Sequence, residues 1–216
     1  MVKIRREESI MLSSIFVVFL GLLTALINGR SGHICRTLAA MLGLSVLLVL
    51  PRRYPHPPER LKPFLAPLYN KKTMAILSIF IAVHVSLLNV PFTGYDLYHK
   101  EWGNADIITH FLGGLAVWTI VAEIISGLKA LGVQLTKRQV IVYSFVIFYA
   151  LSIGWEILEK LSERWISYMA ESIGNKLRDL LMDTLGALFG LWMVRKKGYP
   201  FRLGAERNEG AYGRPP

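Results

Sequence analysis

The sequence predicts an all-α, polytopic membrane protein: a bundle of six transmembrane helices with both termini in the cytoplasm. Hydrophobic residues make up 53% of the 216 residues and charged residues only 19%, whereas a soluble domain carries about a quarter charged residues. The apolar residues collect in six runs, each close to the roughly 20 residues that a helix needs to cross the hydrocarbon core. The net charge of +10 falls mainly between these runs.

This composition excludes a disordered chain, a collagen-like chain and an ordinary soluble enzyme. The chain has one cysteine, Cys35, which excludes an internal disulfide framework and a metal site built from several cysteines. The basic residues flank apolar runs and match no nucleic-acid motif, so we expect no nucleic-acid partner.

The six predicted spans cover residues 10–27, 34–50, 74–90, 107–128, 140–158 and 177–194. The first is too long for the apolar part of a signal peptide and lacks a convincing cleavage site, so we expect it to be a mature span. Pro51 is expected to end the second span and Pro91 the third. Three consecutive basic residues, 195–197, end the sixth.

The spans define a transmembrane domain over residues 1–197, followed by a flexible cytoplasmic tail over residues 198–216 that is rich in Gly, Pro and charge. The connector over residues 52–72 contains several prolines. We therefore expect it to be partly extended rather than one regular helix.

The positive residues indicate the orientation in the cell membrane. Eighteen of the 25 lysines and arginines lie in the N-terminus, the second and fourth loops and the tail. Because positive loops stay in the cytoplasm, these segments are expected inside, and the first, third and fifth loops outside.

Three of the six spans carry carboxylates or an imidazole. Placing such groups in a bilayer costs free energy, so their presence needs a structural or functional explanation. They are Asp106 and His110 in the fourth span, Glu156 and Glu159 in the fifth, and Asp179 and Asp183 in the sixth. Spacings of three or four residues place each pair on one helix face. All three pairs fall at the predicted outer ends of their helices, so we expect one shared polar pocket in the outer half of the membrane.

Oxygen and nitrogen donors without thiolate suit a divalent ion such as Zn, Mn, Fe or Mg, and all six residues are candidate ligands. The leading hypothesis is a metal-assisted hydrolase or transferase that acts on a lipid-linked or small polar substrate at the bilayer. His110, Glu156, Glu159 and Asp183 are the candidate acid/base residues. Arg178 would pair with a substrate phosphate, and Asn175 and His84 are further candidates for substrate binding.

Two other hypotheses for these carboxylates remain open. The same carboxylates can relay protons in a proton- or cation-coupled transporter of small solutes, although the chain shows no inverted repeat. They can also form a salt-bridge network that only fixes helix packing in a structural envelope protein. Asn175 could instead cap the sixth helix, and His84 could be a helix-contact residue. Glu123, at the inner end of the fourth span, is expected to reach the headgroups.

Three segments resemble a known family: Asp106-xxx-His110-Phe111, Trp155-Glu156-xx-Glu159 and Asp179-xxx-Asp183-Thr184-Leu185-Gly186-Ala187. They are similar to the YjdF family of multi-pass inner-membrane proteins, a relative of the VanZ-like proteins named for glycopeptide resistance. The resemblance covers roughly residues 76–191. It implies the architecture and the choice of site residues, His84 included, but no particular reaction. Asn175 stands where the family pattern has an Asp.

Overall fold

The computed structural model describes residues 5–93, 105–162, 172–201 and 203. Within these ranges the chain forms seven α-helices: α1 (Arg6–Ile27), α2 (Ser31–Arg53), α3 (Lys62–Tyr69), α4 (Lys71–Leu88), α5 (Asp106–Gly127), α6 (Lys137–Ser162) and α7 (Ile173–Trp192). A 3₁₀ turn (Leu128–Leu131) continues α5, and a π-helical turn (Met193–Lys197) continues α7.

Among the described residues, five helices are long and apolar enough to cross a membrane: α1, α2, α4, α5 with its 3₁₀ turn, and α6. Each corresponds to one predicted span, which agrees with the predicted polytopic helical bundle. The sixth predicted span corresponds to α7, whose first eleven residues include Lys176, Arg178, Asp179 and Asp183. With these four charged residues, α7 is not apolar enough to be counted as a candidate span. The sixth span and the orientation therefore stay predictions.

Large apolar side chains cover the outside of the bundle. Phe16 is 59% exposed, Leu42 68% and Val146 61%. Helix α2 buries only Thr37 and Leu44 among its 23 residues. A soluble protein rarely exposes contiguous apolar surface on this scale, whereas lipid-facing helices do so as a rule.

One expectation about prolines is corrected. Helix α2 does not stop at Pro51 but continues to Arg53, because a proline in the last turn removes a single backbone hydrogen bond and two arginines there favour the helix C-terminus. The connector also contains a short helix, α3, with Pro63 in its first turn. That position needs no N–H donor, so the proline starts the helix rather than breaking it.

Helix α5 lies at the centre of the bundle and packs against α3, α4, α6 and α7. One apolar core joins α1, α2 and α4, a second joins α5, α6 and α7, and a third links α4 to α5. Their buried members include Val18, Leu44 and Val85 in the first, Trp118, Phe148 and Ala187 in the second, and Ile76 and Leu115 in the third.

The most extensive helix contact joins α5 and α7. A Cβ atom at Gly114 would overlap the backbone carbonyl of Asp183, and one at Gly186 would overlap the carbonyl of Phe111. One turn further, a Cβ at Gly190 would lie 2.9 Å from the Trp118 ring. Small residues let membrane helices approach to backbone contact, so these glycines determine how closely α5 and α7 cross.

The first residues after α7 fold back onto the bundle. Tyr199 lies beneath the Lys72 ammonium, 5.2 Å from the ring centroid, and Phe201 packs on the core of α5, α6 and α7. Burial raises the pKa of the Tyr199 phenol. Residues 202 and 204–216 lie outside the described part of the chain, so the predicted flexible tail over 198–216 stays a prediction.

Replacing Gly186 by alanine is expected to lower the free energy of unfolding by about 1–3 kcal/mol, the usual cost of overpacking a tight contact. The measurement is a denaturant titration of the purified full-length protein in detergent micelles. The matched control is Gly43→Ala in α2, where a Cβ atom would meet nothing within 4 Å. The control should be neutral or stabilised by up to about 1 kcal/mol. Equal unfolding free energies for the two variants would contradict a glycine-dependent crossing.

Candidate functional site

The glycine crossing places His110 of α5 opposite the acidic face of α7. His110 lies one turn before Gly114, and Asp183 lies just before Gly186. The His110 Nδ1 atom is 3.2 Å from Asp183 Oδ1, and the imidazole side chain is only 18% exposed. The backbone approach of the two helices thus produces a partly buried histidine–carboxylate contact.

Asp179, one turn before Asp183, extends this contact along α7. Its side chain is 1% exposed, and its Oδ2 atom lies 4.0 Å from His110 Nε2. The Arg178 guanidinium donates to Asp179 Oδ1 at 3.3 Å and to Asp106 Oδ2 at 2.8 Å. Arg178 therefore ties α7 to the first residue of α5.

Helix α6 joins the cluster through hydroxyl groups. The Ser152 hydroxyl donates a short hydrogen bond to Asp183 Oδ2, so both oxygens of that carboxylate have partners. Nearby, the Tyr149 hydroxyl lies 3.2 Å from Thr184 Oγ1. We call the set Asp106, His110, Ser152, Arg178, Asp179 and Asp183 the His–Asp network.

A second ion-pair cluster lies beside the network. Lys176 Nζ is 3.4 Å from Glu156 Oε2 and 3.2 Å from Glu159 Oε2. Glu156 is close enough to His110 for their charges to interact. Its other oxygen, Oε1, is buried and has no hydrogen-bond partner in the described part of the chain. Glu156 thus holds an acceptor that the described side chains leave unused.

Two predicted site residues lie outside these contacts. Asn175 does not cap α7: Ser172 is the N-cap, and its hydroxyl accepts from the Asn175 backbone N–H at 3.2 Å. His84 lies on α4, with its ring centroid 5.8 Å from that of Phe80. Asn175 is not a member of the His–Asp network, whereas His84 is close enough to His110 for their charges to interact.

Sequence reasoning missed two members of the site. Ser152 precedes Glu156 by one helical turn, so the i, i+4 rule could have placed it on the same face of α6. Lys176 lies four residues after Ser172, the N-cap of α7, and the sequence carries no signal that identifies its partners on α6.

The expectation that Glu123 reaches the headgroups is wrong. Glu123 is 2% exposed and accepts hydrogen bonds from Asn70 Nδ2 at 2.9 Å and Thr73 Oγ1 at 2.6 Å. A helix-capping asparagine and a threonine on α4 satisfy the carboxylate inside the protein, so it has no need to extend to solvent. Glu123 forms a second buried polar cluster at the opposite end of α5.

The described residues do not contain a group of three His, Cys, Asp or Glu side chains placed to hold a metal ion. The reason lies in the ion pairs: Arg178 engages Asp106 and Asp179, and Lys176 engages Glu156 and Glu159. As arranged, these carboxylates do not fit a divalent metal centre, and the metal-ligand assignment stays a prediction.

Comparison with known proteins gives a family for this architecture. Residues 9–197 match the family DUF2238, which is described as predicted membrane proteins. No curated protein and no solved structure matches the chain. The matched region includes nearly all of α1, all of α2–α7 and every residue of the His–Asp network. The chain therefore belongs to the DUF2238 family of predicted membrane proteins.

Proposed function

We propose that this protein is a proton-coupled transporter of a small polar solute and that the His–Asp network is its proton-binding site. One observation carries the proposal: the His110 imidazole has a carboxylate at each ring nitrogen. Asp183 Oδ1 is 3.2 Å from Nδ1, and Asp179 Oδ2 is 4.0 Å from Nε2.

Proton gain or loss at His110 would change the contacts between helices. A neutral imidazole donates from one nitrogen, whereas an imidazolium donates from both. The charged form can therefore hold Asp179 and Asp183 together, and the neutral form can donate to only one of them. Because Asp183 also accepts from Ser152, the change would reach α6 as well as α7.

Polar groups along α5 support a route across the bundle. His110 and Glu123 are about 20 Å apart along the helix, at 1.5 Å per residue. Between them, Trp118 Nε1 and Thr119 Oγ1 are buried without a hydrogen-bond partner among the described residues. Buried polar atoms of this kind are normally satisfied by internal water. Such water would connect His110 to Glu123, the two types of residue from which proton relays in membrane proteins are built.

The solute would interact with Glu156. The Oε1 atom of this carboxylate is buried and unpartnered within the described residues, and its other oxygen is held by Lys176. A buried acceptor in this state favours a ligand with an N–H or O–H donor. This argues for a small polar solute with an amine, amide or hydroxyl group.

The geometry supports the other hypotheses less well. A metal-assisted hydrolase needs several ligands that converge on one ion, and the described residues contain no group of three His, Cys, Asp or Glu side chains placed to hold one. If the network is purely structural, the protein should move no protons across the membrane. A measurement of proton flux into liposomes tests this. The resemblance to the YjdF and VanZ-like proteins stays a hypothesis, since the matched family is described only as predicted membrane proteins.

We also propose that α7 is a sixth span and that both termini face the cytoplasm in the cell membrane. The distribution of lysines and arginines supports this orientation. The ionisable residues of α7 face α5 and α6 in ion pairs, whereas Leu181, Leu185 and Leu188 are 57%, 43% and 47% exposed. An amphipathic helix with its charges turned inward can span the bilayer inside a bundle.

Replacing His110 by glutamine is expected to reduce proton flux at least about tenfold, because glutamine keeps a polar amide but has no titratable proton. The measurement uses full-length protein in liposomes with a pH-sensitive dye inside, after an acid step outside in the presence of a mixture of small solutes that carry amine, amide or hydroxyl groups. Wild type should dissipate the gradient faster than protein-free vesicles.

The matched control for this flux measurement is His56→Gln, in the exposed connector between α2 and α3; it should behave as wild type. Thermal unfolding in detergent shows that each variant folds. Folded wild-type protein that is no faster than empty vesicles would contradict the proposal, as would undiminished flux in His110→Gln.

The single cysteine tests the proposed orientation. Cys35 is exposed in the first turns of α2, on the side that we assign to the exterior. A membrane-impermeant maleimide added to intact cells should therefore label the wild-type protein.

The control carries Cys35→Ser together with Lys137→Cys, which moves the thiol to the start of α6 on the proposed inner side. This variant should be labelled only after the cells are permeabilised. The reverse pattern would show that the termini face outward.

A further inference from the structure

A basic cleft lies at the end of the bundle opposite the His–Asp network. It is bounded by the first turns of α6 and by the π-helical turn that follows α7, and its volume is about 800 Å³. Sites for small ligands typically occupy about 300–1,000 Å³. Five of its lining side chains are cationic: Lys137, Arg138, Arg195, Lys196 and Lys197.

Among the described residues, no acidic group balances the positive charge of the cleft. None of its described lining residues is a carboxylate, and within the same part of the chain Lys137, Arg138, Arg195 and Lys196 form no ion pair. Elsewhere at this end of the bundle, Lys71 pairs with Glu8 at 2.6 Å. Five cations around one concave surface repel one another, and the positive end of the α6 dipole adds to their field. An anion in the cleft would relieve that repulsion.

We propose that the cleft binds the headgroup phosphate of an anionic phospholipid. Arg138 and Arg195 supply guanidinium groups, which pair with phosphate oxygens in a two-pronged geometry. Basic pockets between membrane helices are well suited to lipid phosphates. This site is separate from the His–Asp network and does not depend on the transport proposal.

The apolar surface next to the cleft favours a lipid over a free anion. Val142 lines the cleft and is 48% exposed. The same face of α6 continues through Val146, Ile153 and Ile157, which are 61%, 45% and 55% exposed. Their spacing of i, i+4, i+11 and i+15 forms one stripe along the helix. With the phosphate in the cleft, an acyl chain can lie along this stripe, whereas inorganic phosphate would leave it unused.

Native mass spectrometry of the full-length protein in detergent tests the proposal, with phosphatidylglycerol and phosphatidylcholine added at equal concentrations. Wild type should retain phosphatidylglycerol in preference to phosphatidylcholine. The double variant Arg138→Gln/Arg195→Gln should lose roughly tenfold in phosphatidylglycerol affinity, since each basic residue near an anionic lipid contributes substantially to binding.

The matched control for lipid binding is Arg53→Gln/Arg60→Gln, which removes the same charge from two exposed arginines of the same end of the bundle outside the cleft. It should bind phosphatidylglycerol as wild type does. Equal losses in the two double variants would overturn the proposal, as would equal retention of the two lipids by wild type. Displacement of phosphatidylglycerol by an equal concentration of inorganic phosphate would assign the cleft to a free anion and refute the lipid.

Discussion

The backbone contact between α5 and α7 at Gly114 and Gly186 is the constraint on which the candidate site depends. With any side chain larger than hydrogen at either position, the two helices would have to move apart. His110 and Asp183 lie within one turn of these glycines, so their 3.2 Å contact follows from the crossing rather than from long, adaptable side chains. Close packing by small residues thus serves a chemical purpose as well as a structural one.

The crossing places several carboxylates in a buried environment, and their ion pairs offset the free-energy cost of removing these charges from water. Removing one partner of a buried ion pair leaves an uncompensated charge, which is strongly destabilising. Arg178 holds Asp106 and Asp179, and Lys176 holds Glu156 and Glu159. Asp183 has only hydrogen-bonding groups and the titratable His110 among its named contacts. The charge state of His110 therefore matters most at Asp183, which is where α5, α6 and α7 meet.

Sequence periodicity predicted the helices better than it predicted their contacts. Long apolar runs anticipated all six long helices, and spacings of three or four residues anticipated which side chains share a face, as for Asp179 and Asp183. Helix α3 was missed because a proline at a helix start and a proline in a loop look alike in sequence. The partners of Glu123 and Lys176 could not be predicted, because they depend on how neighbouring helices are rotated. For the same reason the sequence could not predict that Arg178 and Lys176 pair with four of the carboxylates proposed as metal ligands.

A double-mutant cycle between His110→Gln and Asp183→Asn tests the central claim most directly. The free energy of unfolding of each variant, measured in detergent, gives the coupling energy between the two residues. The measurement is then repeated in the Gly186→Ala background. If the glycine crossing positions the pair, the coupling should be about 1 kcal/mol in the otherwise wild-type protein and should nearly vanish when Gly186 is alanine. An equal coupling energy in the two backgrounds, or no coupling in the otherwise wild-type protein, would show that the glycine crossing does not position the pair.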